Sequence, residues 1–246
     1  LLYLANSPEV LFSALICLGI GGHFLIQAVH RGMGVALLCL AVLPLVAMAL
    51  MMQRAGIGVV VLSALGGFAI ALYHTPKRAV FLAVPVALLI GAGWPVVTTI
   101  IEDMMSKTAL VGSNSRLQEW GAVWQIVSAD AGSFLFGKGW GAHLENPAVG
   151  GLSVNYTHSL LSSLLLKTGV IGSFVILVGS LVPVLRPVFA KPKNTFSGLV
   201  LWAAFCPFVI SVLLYASYKS LGFGLILLVF YVFSDRNLEK NNQVMR

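Results

Sequence analysis

Three side chains in this sequence invite chemistry by type and position: His158, Arg116 and Arg54, each beside a long apolar run. His158 stands in SVNYTHSLLSSLLLKTGVIG (153–172), where a polar stretch gives way to an apolar one. Histidine changes protonation near neutral pH, so at such a boundary it is either a proton-transfer group or only the polar mark of a helix end. Arg116 opens SRLQEWGAVWQIV and shares helical spacing with Trp120, Val123 and Val127, with Trp124 beside them. An arginine on an apolar stripe calls for a partner or an anionic ligand. Glu119, three residues on, is the candidate partner within the helix; a snorkelling anchor is the plainer alternative. In FLFGKGWGAH (134–143) Lys138 lies among glycines and could meet a phosphate as a point charge. It lacks the Gly-Lys-Ser/Thr ending of a Walker loop, so a flexible turn is the plainer reading. Lys167 and Lys219 are further cations that could line an outer cavity with Lys138, with Tyr218 beside the second, although an interfacial position is the plainer reading of each.

The elements that must position these groups are membrane helices. Of 246 residues 59% are hydrophobic and 9% charged, and the mean hydropathy is +0.95. Such values exclude an ordinary water-soluble domain and predict an all-α polytopic membrane protein. Cys17, Cys39 and Cys206 all fall in apolar runs without metal-ligand spacing, so neither a disulfide framework nor a zinc site is expected. A helix needs about 20 apolar residues to cross the hydrocarbon core. On that criterion about seven spans are expected, at 10–29, 33–52, 56–73, 79–101, 158–185 (beginning at 158 or 170), 197–217 and 221–233. The net charge of +7 is then a matter of topology rather than of nucleic-acid binding.

Alternating the spans places Arg31, Lys77, Arg78, Arg186, Lys191, Lys193, Arg236, Lys240 and Arg246 on one side. The other side receives Arg54, Lys107, Arg116, Lys138 and Lys219. The richer side is cytoplasmic by the positive-inside rule, and the long segment 102–157 is extracytoplasmic. That segment is too long for a simple connection and is expected to carry an amphipathic helix, capped by Ser115 and stopped near Gly132, with its tryptophans at the membrane interface. As one helix, 158–186 would be about 42 Å long, more than the core requires. Either it protrudes above the bilayer or a short surface helix breaks near Lys167-Thr168-Gly169; in both cases Lys167 is shallow enough to snorkel. Asn155-Tyr156-Thr157 matches a glycosylation sequon, a tripeptide that also arises by chance. The chain opens at Leu1 without an initiator methionine and is expected to be incomplete.

Taken in order, MMQRAGIG with Arg54, SRLQEWGAVW with Arg116, LFGKGWG and THSLLSSLLLKTGVIG resemble the O-antigen ligase and O-antigen polymerase superfamily of bacterial membrane glycosyltransferases, over roughly residues 51–185. The resemblance implies a GT-C-like helical enzyme of the cytoplasmic (inner) membrane, working at its extracytoplasmic face in lipopolysaccharide or polysaccharide biosynthesis. It implies transfer of a glycan from undecaprenyl diphosphate to an acceptor hydroxyl, with inversion and with no metal or other cofactor. Carried over, His158 is the base or acceptor-orienting group, and Arg116 and Arg54 hold the diphosphate. Two departures stand out: Ser159 follows the histidine where many members have asparagine, and about seven spans are fewer than the family's usual ten to twelve. Ligase, polymerase and protein O-oligosaccharyltransferase all fit the signature. From a different class, a membrane transporter or channel component predicts ionisable residues near the bilayer midplane in paired repeats. Here the expected spans hold little besides His23 and Lys167.

Overall fold

The computed structural model describes residues 8–51, 53–80, 115–189, 195–214 and 220–244, with scattered helical positions between 83 and 106. Its helices are α1 (Pro8–Gln27), α2 (Arg31–Leu50), α3 (Arg54–His74), α4 (Ser115–Val127), α5 (Ala131–Phe136), α6 (Leu160–Phe189), α7 (Thr195–Leu213) and α8 (Leu221–Val244). Between α5 and α6 lies a small antiparallel hairpin, β1 (Leu144–Asn146) and β2 (Leu152–Val154), joined through a 3-10 turn over Pro147–Val149. Among the described residues, five helices are long and apolar enough to cross a membrane: α1, α2, α3, α6 and α7. The shorter apolar stretch Leu221–Ser234 of α8 follows them. The chain is thus a multi-pass helical membrane protein. The span expected at 79–101 lies largely outside the described residues, as do Tyr218 and Lys219.

The chain divides into two compact units. In the first, built on α1–α3 and the start of α7, large apolar side chains such as Leu43, Leu62 and Ile70 face outward. A helix apolar on all sides is stable in that arrangement when lipid, not water, is the solvent. Among its polar ties, Trp202 Nε1 donates to Ser63 Oγ at 3.0 Å and Arg78 Nη1 to the Ile26 carbonyl at 3.1 Å. Arg54 is the exposed first residue of α3.

The second unit contains α4, α5, the hairpin, α6, the end of α7 and α8. Its segment 115–168 is ordered around Val123, Val127, Leu144 and Leu166, all buried, with Ile126, Phe134 and Leu165 packed against them. The apolar stripe of α4 therefore closes on protein. Trp120 is half-buried and Trp124 exposed, its ring edge on Phe134. Each fully buried valine or leucine side chain in such a cluster contributes about 1.5–3 kcal/mol. Two expectations for α4 change. Ser115 is the first residue of the helix rather than a cap before it, and the helix ends at Val127, not near Gly132. Gly132 instead sits in α5, which Asp130 caps by accepting from Ser133 N at 2.7 Å.

Of the two forms open to the 158–186 stretch, the structure has the broken one. Gly169 takes φ 63° and ψ −167° inside α6, separating a short segment, 160–168, from an apolar one, 170–189. Carbonyls on the last turn before the break are taken by the Gly-Lys-Gly turn: Lys138 N donates to Leu166 O at 2.8 Å and Gly139 N to Lys167 O at 3.0 Å. That backbone exchange is the structural use of the FGKG motif. It demands contact that side chains forbid, since a Cβ on Gly137 or on Gly169 would stand 2.5 Å from the other's backbone, and both have positive φ. Gly169→Ala is accordingly expected to lower stability by at least about 1–3 kcal/mol, visible as a lower unfolding midpoint in detergent. An unchanged midpoint would mean that the break is not held as described.

Candidate active site

The segment 157–163 that leads into α6 is fixed by short-range polar contacts. Ser159 caps the helix, its Oγ accepting from Ser162 N at 3.1 Å and pairing with Ser162 Oγ at 2.7 Å. Ser162 Oγ also donates to Thr157 Oγ1 at 2.7 Å, and Thr157 Oγ1 to Ser159 O at 3.2 Å. Thr157, Ser159, Ser162 and Ser163 are all buried. Thr157 is thus a packed residue whose hydroxyl is committed within the fold, while Asn155 of the same sequon is exposed. His158, between two buried neighbours, is anchored from α4. Glu119 Oε1 accepts its backbone N–H at 2.8 Å, and Glu119 Oε2 meets its Nδ1 at 2.6 Å.

Glu119 is the centre of the site. It occupies the face of α4 that also buries Val123 and Val127, and only 1% of it is exposed. A third donor, Asn146 Nδ2, reaches Glu119 Oε2 at 2.7 Å from the end of β1. Burial by itself would push the Glu119 carboxyl up. The donors outweigh that effect: the His158 imidazole, its backbone N–H and the Asn146 amide together hold the group below the usual carboxylate range. An ionised carboxylate only accepts, so the imidazole must carry its proton on Nδ1 and present the lone pair of Nε2. The ring side chain is 33% exposed, and its Nε2 has no hydrogen-bond partner among the described residues. The Tyr156 ring meets it edge-on, centroids 6.1 Å apart. A histidine oriented by a buried carboxylate, with its other nitrogen accessible, can take a proton from a hydroxyl and be stabilised as imidazolium.

Other residues singled out in the sequence have different surroundings. Glu119 does not form the expected pair with Arg116; among the described residues its ion pair is with His158. Arg116 Nη1 donates instead to the Leu214 carbonyl at 2.9 Å, at the C-terminal end of α7, where a cation complements the helix dipole. Lys138 is paired with Asp130 at 3.1 Å on the surface, and the Ser133 hydroxyl and backbone N–H, with Lys138, hold that aspartate well below its ordinary range. Lys167 does not snorkel: it is buried, its ammonium 5.3 Å from the centre of the Trp140 ring. Arg54 belongs to the first unit. The structure therefore brings together His158 and Glu119, places Arg116 one turn before Glu119 on α4, and adds Asn146. No local signal in the sequence marks Asn146, because Asn-Pro before glycines reads simply as a turn. Among the described residues no group of three or more His, Cys, Asp or Glu converges as metal ligands would. Comparison of the chain with protein-family models, with curated proteins and with solved structures returned no match.

Proposed function

We propose that this chain is a membrane glycosyltransferase of GT-C-like type, passing a glycan from an undecaprenyl-diphosphate donor to an acceptor hydroxyl at the extracytoplasmic face of a bacterial cytoplasmic membrane. The observation that carries the reading is the 2.6 Å contact between His158 Nδ1 and the buried Glu119 carboxylate, at the boundary between an ordered outer segment and an apolar helix. In the proposed step the acceptor O–H gives its proton to His158 Nε2 while its oxygen bonds to the anomeric carbon. The bond from that carbon to the diphosphate breaks on the opposite face, and the diphosphate leaves with the electron pair. The configuration inverts. A diphosphate leaves without protonation, so the remaining need is charge neutralisation, which the Arg116 guanidinium would supply. No metal or cofactor enters this scheme.

The decisive experiment is transfer by the purified protein from an undecaprenyl-diphosphate-linked glycan in the presence of chelator, following both undecaprenyl diphosphate release and the anomeric configuration of the product. Release coupled to an inverted product supports the reading. Absence of transfer, with ion or solute flux in proteoliposomes, would replace it by the transport alternative. A second expectation concerns Arg116. Arg116→Lys should retain less than about one-tenth of the wild-type rate, because an ammonium cannot reproduce a bidentate pair and also loses the fixed fork that reaches Leu214 O. Full activity in the lysine variant would reduce Arg116 to a point charge.

A further inference from the structure

Asn146 is fully buried, and its amide is committed on both sides. Oδ1 accepts from Ala148 N at 2.9 Å, capping the 3-10 turn. That bond fixes which way the amide faces, so the NH₂ group is the end that meets Glu119 Oε2 at 2.7 Å, with the Tyr156 carbonyl as a longer second acceptor at 3.4 Å. The same carboxylate oxygen thus takes two donors, the Asn146 amide and His158 Nδ1. We infer that Asn146 is a positioning residue for His158: by donating to Glu119 Oε2 it keeps that carboxylate an acceptor and so keeps the histidine proton on Nδ1.

The reason lies in what Glu119 would do without it. A buried carboxylate that loses a donor binds a proton more readily. Once protonated, Glu119 would turn from acceptor to donor toward Nδ1, and the neutral imidazole would carry its own proton on Nε2. That tautomer has no lone pair to offer an acceptor hydroxyl. Among the described residues, exposed His143 stands directly before β1. Arg116 and Glu119 share α4, Glu145 is exposed between the two buried residues of β1, Tyr156 follows β2, and Lys167 lies on α6. For its kinetic consequence the inference rests on the transfer reading; for the tautomer it does not.

The test uses the full chain in detergent with ¹⁵N-labelled histidine, the His158 signals being assigned by their loss in His158→Gln. Wild type should show neutral His158 protonated on Nδ1. Asn146→Leu should shift the neutral form toward the Nε2-protonated tautomer and lower kcat about tenfold or more, with KM within about threefold because Asn146 touches no substrate in the proposed step. Asn146→Asp keeps the acceptor for Ala148 N and can donate to Glu119 only while one proton is shared between the two carboxylates. While that proton is shared, part of it resides on Glu119 and the neutral imidazole should gain the Nε2-protonated tautomer; once rising pH ionises both carboxylates, Glu119 can only accept and the neutral imidazole should hold its proton on Nδ1. If Asn146→Leu does not fold, the aspartate variant decides alone. His158 protonated on Nδ1 in each folded variant, with kcat within about twofold of wild type across pH, overturns the inference. An inactive wild type with the tautomer shift intact would instead discard the transfer reading and leave the positioning role standing.

Discussion

Replacing His158 by alanine is expected to slow transfer by about 10²- to 10⁴-fold, the usual contribution of a positioned general base, while the protein folds and inserts as before. The two halves of that expectation have separate grounds. The loss follows from the chemistry: at neutral pH an acceptor hydroxyl holds its proton, and in the proposed step Nε2 of His158 is the group that takes it. Folding should survive because the anchoring of this segment is mostly independent of the ring. The backbone N–H of residue 158 still reaches Glu119 Oε1, Ser159 still caps α6, and Asn146 still satisfies Glu119 Oε2. Loss of the imidazole hydrogen bond to a charged partner should cost about 1.5–3 kcal/mol. Single-turnover rates with donor bound, together with the unfolding midpoint, measure both halves. Partial recovery by added imidazole would identify the missing function as proton transfer. A folded His158→Ala protein with a wild-type rate would make His158 a boundary residue, and another group would have to serve the acceptor.

The same contacts mark what the sequence could and could not convey. Apolar runs of near-constant hydropathy announced α1, α2, α3, α6 and α7 to within a few residues, because in lipid the length criterion is itself the physics. The break in α6 was legible as one of two options, since Gly169 ends a surface stretch in a run too long for one crossing. Spacing along α4 identified the stripe of Trp120, Val123 and Val127, but not what the stripe would meet. Val123 and Val127 bury against Leu144 and Leu166, which are distant in sequence, and the hairpin that brings Leu144 there is too short to announce itself. Glu119 is misleading for a local reason: Arg116 is its neighbour at helical spacing, whereas its partners lie 27 and 39 residues onward. Lys167 is misleading in the same way. A lysine near a helix break suggests snorkelling until Trp140 is known to cover it. Long-range polar partners are set by tertiary contact, which no periodicity encodes.

Glu119→Gln should also lower transfer severely, by about 10⁴-fold at the upper end, although it alters no more than one atom and one charge. Glutamine at this position cannot satisfy every neighbour. Oε1 accepts the His158 backbone N–H, so the amide oxygen belongs there, and the NH₂ group must then face both His158 Nδ1 and the Asn146 amide. Facing donors repel, and the imidazole can accept from the new amide only by moving its own proton to Nε2. The stability signature depends on pH, and its sign is fixed. The Glu119 carboxyl lies below its ordinary value in the folded protein, because the His158 and Asn146 donors outweigh burial. Such a group contributes its full stabilisation above the unfolded-state value of about 4.3. The contribution is lost as pH falls through the lower folded-state value. Glutamine does not titrate, so the stability gap between wild type and Glu119→Gln should be fully present above about pH 4 and close progressively below it. Thermal unfolding in detergent from neutral to acid pH reads that gap directly. A gap that stays constant over the range would mean that Glu119 is not held as a carboxylate by these donors. The tautomer assigned to His158, and with it the base at Nε2, would lose its support.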